Sequence, residues 1–331
     1  MIKVLLRNLL MVVFIAACSP ASHNVSNHST ANEFSSNNFR RDTTLLPSAD
    51  TTGSNDSLRK PLSLMDLPQT DDGQIALSEG YYEADFKSYC LQPGTPSPTD
   101  RDAYLQGPLT SYRKDIVETV LRGSLKRPDL DQKNIQLLLW SVVSGSDFRK
   151  LSWETQSTAE QLLSHKQIFE LKGGVMGIVK TVSTAMPEYG TASACSKLKE
   201  MFELGTNSYE LFERVAVLPQ SSVSKPSTMN TDQWYKQAGG YYLRYFPSGY
   251  QHVKIQVYVP QGTMAGRSPD DYLLFDPVTM MAIPAHSNSQ RLGIGAPVIN
   301  IVRTIIHMQK SPSAPPNPKT PPVKNPKQVA S

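Results

Sequence analysis

The sequence predicts an α+β protein: a strand and a mainly helical segment, then a smaller antiparallel β-rich segment, between polar ends. Three patterns carry this. Residues 80–90 alternate between apolar and charged side chains, the period of a half-buried strand. From 111 to 215 apolar residues recur at three and four, the period of helices with one buried face. After 230 the alternation returns around Pro- and Gly-containing turns. The expected divisions are 1–17 signal peptide, 18–72 disordered tether, 73–218 strand plus helical domain, 219–230 linker, 231–308 β-rich domain and 309–331 disordered tail.

The first residues read as an export signal. Lys3 and Arg7 precede an apolar run over 9–17 that is too short to span a bilayer as a stable helix. The run stops at Ile15-Ala16-Ala17-Cys18. This resembles the lipobox of bacterial lipoproteins. The resemblance implies cleavage before Cys18, a lipid on Cys18 and, with Ser19 following, an outer-membrane destination in the cell envelope. Residues 19–72 are dense in Ser, Thr, Asn and Asp and lack the apolar content to offset ordering entropy. The tail holds Pro315-Pro316, Pro318-Lys319 and Pro321-Pro322 and reads as extended and solvated.

The strand over 80–90 places Tyr82, Ala84, Phe86, Ser88 and Cys90 on one face and Glu83, Asp85 and Lys87 on the other. Ile116, Val117, Val120, Leu121 and Leu125 form a helix stripe that ends before Pro128. Asp131 is placed to cap a second helix carrying Ile135, Leu138, Leu139, Val142 and Val143, ended by Gly145. A third helix is expected over 154–165 and a short fourth before Gly173. A longer pattern opens at Cys195, with a break possible at Gly205. Val253, Ile255, Val257 and Val259 alternate opposite 241–246, which predicts a hairpin across Pro247-Ser248-Gly249. A second hairpin is expected between 273–275 and 280–283. Residues 297–307 fit strand or helix.

Net charge is +4, or +2 once Lys3 and Arg7 leave with the signal, too near neutral to call for nucleic acid. The expected partners are the membrane, through Cys18, and a protein or cell-wall component. No pattern calls for a metal or another cofactor. Zinc-protease, Walker and nucleophile-elbow signatures are absent, so no enzyme is read from the chain. Gly293-Ile294-Gly295 is too short a glycine motif to imply a nucleotide, and His252 reads as a surface histidine.

The three cysteines are Cys18, Cys90 and Cys195. With Cys18 lipidated, the other two could form a disulfide in an oxidising compartment, or Cys90 could be a buried thiol. A third chemistry joins Cys90 to Gln136: a thiol held against a carboxamide in a water-excluding site can displace ammonia and leave a thioester. Trp140, one turn beyond Gln136, could shield that bond. Tyr89-Cys90-Leu91 and Gln136-Leu137-Leu138-Leu139-Trp140 resemble the two motifs of thioester domains in bacterial surface adhesins. Ile135 and Leu138 stand where those domains usually have Thr and Ala. The resemblance implies an adhesin that acylates an amine on its partner. Taken with the lipobox resemblance, which implies a lipid-anchored envelope protein, the residues themselves read as a non-catalytic binding or structural chain.

Overall fold

A computed structural model describes residues 60–111, 113–173, 191–219, 231–232, 234–285, 287–299 and 304–307. All belong to one compact unit. The segments expected as signal peptide and tail, and most of those expected as tether and linker, lie outside the described residues. The fold is mixed α+β, with six helices among the described residues. None of these is long and apolar enough to cross a membrane.

The chain enters through β1 (Leu62–Ser63), a 3-10 turn (Leu64–Asp66), β2 (Gln69–Thr70) and β3 (Ile75–Leu77). Then comes β4 (Gly80–Cys90), the longest strand, followed by β5 (Thr95–Pro96) and β6 (Tyr104–Pro108). The helices follow: α1 (Lys114–Lys126), α2 (Gln132–Ser144), α3 (Trp153–Leu162), α4 (His165–Leu171), α5 (Thr191–Glu203) and α6 (Tyr209–Ala216). Asp131 accepts from the backbone N–H of Asn134 and caps α2, which Gly145 ends at φ 69°. The pattern opened by Cys195 does break, at Gly205 between α5 and α6, where φ is 72°.

The remaining strands are β7 (Val217–Leu218), β8 (Tyr235–Lys236), β9 (Tyr242–Ser248), β10 (His252–Val259), β11 (Leu273–Phe275), β12 (Met280–Pro284), β13 (Leu292–Pro297) and β14 (Ile305–Ile306). The main sheet runs β6-β12-β13-β4-β10-β9-β8, with β1 parallel to β4. Its two edges approach each other: Leu105 of β6 packs with Tyr235 of β8, so the sheet curls into a nearly closed barrel. The hairpin β9–β10 forms as expected, with Val253 facing Pro247 and Val257 facing Leu243.

Three expectations change. The helical and β-rich segments are not separate domains. β4, from the first, lies between β10 and β13 of the second and is hydrogen-bonded to both. The tether does not run to residue 72: Leu64, Met65 and Leu67 are buried in the same core as Phe86 and Ile255. Each such side chain contributes roughly 1.5–3 kcal/mol of burial, so this stretch belongs to the folded body. The second hairpin does not form. β11 pairs with β3 in a small sheet while β12 pairs with β6 and β13.

The Gly293-Ile294-Gly295 motif has a packing role. A Cβ on Gly295 would sit 2.6 Å from the Tyr89 ring and 2.9 Å from Ser124 Oγ, and one on Gly293 would sit 2.9 Å from Leu121. Ser124 and Leu121 belong to α1, so β13 is a floor of bare backbone on which α1 rests.

Candidate functional site

Strand β10 pairs with β4 only as far as His252, opposite Lys87. Beyond that point one edge of β4 has lost its neighbouring strand. Helix α2 takes over. Residues two apart on a strand present their N–H and C=O to the same edge, about 6.6–6.8 Å apart. Residues four apart on a helix rise about 6 Å along one face. The two periods nearly match, and two glutamines use the match. Gln132 Nε2 donates to the Ser88 carbonyl at 3.2 Å and to the Gln251 carbonyl at 2.8 Å. Gln136 Oε1 accepts from the Cys90 N–H at 2.8 Å, and its Nε2 donates to the Cys90 carbonyl at 3.0 Å. The side-chain amides stand in for the peptide groups of an absent strand. The other edge of Cys90 is covered by Leu292 of β13.

Cys90 and Gln136, 46 residues apart in sequence, therefore meet in the core at 0% and 1% exposure. Trp140, the next residue on the same helix stripe, is fully buried. Its ring stacks on Tyr209 at 5.6 Å and lies 6.3 Å from Tyr250. Burial pushes the Cys90 thiol up to about 12. The Trp140 indole and the Gln92 backbone lower it only part of the way. Among the described residues the buried indole N–H has no hydrogen-bond partner.

A hydrogen-bonded chain flanks the site. The Tyr209 and Tyr250 hydroxyls are 2.6 Å apart, Tyr250 donates to Glu213 Oε1, and Gln251 Nε2 reaches both hydroxyls at 3.3 Å. Burial holds Tyr209 up at about 12 and raises Tyr250 further.

Of the residues singled out in the sequence, Cys90, Gln136 and Trp140 share the site. Cys195 and Cys90 are both buried free thiols, so the alternative disulfide is not formed. Cys18 lies outside the described residues. His252 is exposed on the outer sheet face, as expected. Gln132 was missed. Its signal was present as a second glutamine four residues before Gln136, but a glutamine near a helix start reads as solvated until a strand edge is known to face it. Among the described residues, no group of three or more His, Cys, Asp or Glu is placed to hold a metal ion. Comparison with protein-family models, with curated proteins and with solved structures finds no match.

Proposed function

We propose that the chain is a lipid-anchored envelope protein carrying an internal thioester between Cys90 and Gln136, through which it acylates an amine on a partner. The observation that carries this reading is the docking of the Gln136 carboxamide across Cys90 in a dry site beside Trp140. The Cys90 N–H already holds Gln136 Oε1, where negative charge develops when the sulfur attacks. In that step the Sγ–Cδ bond forms and the Cδ–Nε2 bond breaks. The thiol proton leaves with the nitrogen as ammonia. An incoming amine then takes Cδ and returns the thiol. Exclusion of water protects the bond until the site opens. Lipidation at Cys18 would supply the anchor, as its motif implies.

A second reading keeps the chain non-catalytic, a binding or assembly factor in the envelope. It is favoured by the use of both carboxamide atoms to satisfy the Cys90 backbone, a complete structural role without further chemistry. Intact mass of the purified protein under non-reducing conditions separates the two. The thioester reading expects a deficit of one ammonia, removed by methylamine and absent from Cys90→Ala and Gln136→Ala. A full carboxamide mass in wild-type protein that folds normally overturns it.

A further inference from the structure

The outer face of the main sheet, on the opposite side of β4 from Phe86, is laid out in rows by the strand register. Tyr242, Tyr258 and Tyr81 form one row across β9, β10 and β4; Arg244, Gln256 and Glu83 form the next; Phe246, Lys254 and Asp85 form the third. The first two rows are tied down. Arg244 lies 4.2 Å over the Trp234 ring, donates to Gln256 Oε1 at 2.6 Å and reaches the Tyr81 hydroxyl at 3.3 Å. Gln256 Nε2 in turn donates to Glu83 at 2.8 Å. Trp234 also packs edge-on to Tyr81 at 5.6 Å. The third row opens into a groove of about 590 Å³ that also holds His252 and Asp100. Among the described residues, the side chains of Asp85, Asp100, His252 and Lys254 have no hydrogen-bond or ion-pair partner there, although Lys254 and Asp85 sit directly opposite.

We infer that this groove is a binding site for a neutral oligosaccharide. The rows and the groove carry three acids (Glu83, Asp85, Asp100) and two fixed cations (Arg244, Lys254), with Lys87 one row further on. Counting Lys87, the charges balance. A balanced surface draws in neither a polyanion nor the chain's own lysine-rich tail. What remains is an aromatic ring, Phe246, beside free donors and acceptors of both kinds on a rigid sheet. Ring faces take the apolar C–H side of a sugar, and unpaired Asp, Lys and His take its hydroxyls. The fixed Arg244–Gln256–Glu83 chain holds Arg244 against Trp234 and Phe246 and uses Gln256 of the groove wall, which leaves Asp85, Asp100, His252 and Lys254 for a ligand. The site is independent of Cys90 and Gln136, which do not line it.

The test uses the mature chain and a set of named probes. Cellohexaose, maltohexaose and chitohexaose are titrated by calorimetry and by tryptophan fluorescence, with heparin and a synthetic 308–331 peptide as the charged controls. Saturable binding of at least one hexasaccharide is expected. It should weaken tenfold or more in Phe246→Ala and in the Asp85→Asn, Lys254→Met double variant. Both carry the changes on the solvent side, and each is checked for an unchanged melting curve. Binding that survives both variants, binding of heparin or of the tail peptide only, or no binding of any hexasaccharide overturns the inference.

Discussion

Gln132 and Gln136 differ in what their loss exposes. Gln132→Ala frees the Ser88 carbonyl beside a half-buried side chain, where water can replace the lost donor, while the Gln251 carbonyl keeps the Ser88 N–H. Gln136→Ala orphans both the N–H and the C=O of Cys90 in the core. A buried group left unpaired costs about 1–3 kcal/mol, so the urea midpoint should fall clearly further for Gln136→Ala than for Gln132→Ala. Equal shifts would show that α2 repacks onto the edge without its glutamines. The thiol offers a second prediction at this scale. With Cys90 pushed up to about 12, the thiolate is a trace at neutral pH and grows about tenfold per pH unit. Ammonia release from freshly refolded protein, followed by mass, should therefore accelerate by about a hundredfold between pH 7 and pH 9. A plateau near pH 8 would mean a proton acceptor close to the sulfur that sets the rate instead.

Elements with one strong period were legible before any coordinates. Strand β4, the first two helices with the Asp131 cap and the Gly145 stop, and the β9–β10 hairpin all follow from local pattern. The pairing of β4 with β10 and β13 was not, because partner choice between strands more than 150 residues apart leaves no local mark. The same limit hid β1 and the 3-10 turn. Leu64, Met65 and Leu67 are three apolar residues in a polar stretch, too few for a period yet enough to plug the core. Cys90 and Gln136 were legible as residues, while the reason they meet, an edge that β10 vacates, is a property of the sheet. A chain starting at residue 73 should thus melt well below one starting at 60. The expected loss is about 1.5–3 kcal/mol for each of the three side chains. Equal midpoints would return residues 60–72 to the tether.

At the scale of the whole molecule, the position of β4 makes the fold indivisible. Tyr82 and Phe86 are buried on a strand whose two long neighbours, β10 and β13, arrive after the helices. Expressed alone, 60–218 would have β4 without either long neighbour, and 231–307 would have a sheet missing its centre. Neither fragment should give a dispersed amide spectrum. A folded 231–307 fragment would instead restore the two-domain division expected from the linker.

The pairing of Gln136 with Cys90 also gives the proposed reaction a preferred direction. Forming the thioester removes the Nε2–H that satisfies the Cys90 carbonyl, so the loaded state keeps a buried acceptor without its donor. An amine arriving at Cδ leaves a secondary amide, which still has one N–H to give back. Water leaves a carboxylate, which has none and adds a charge to a dry site. Capture of an amine thus heals the interior while hydrolysis wounds it, and the molecule keeps a record of which occurred. Methylamine-treated protein should regain the melting temperature of the unreacted carboxamide form. Hydrolysed protein, or Gln136→Glu as its stand-in, should melt lower; equal values would mean that the site has no memory.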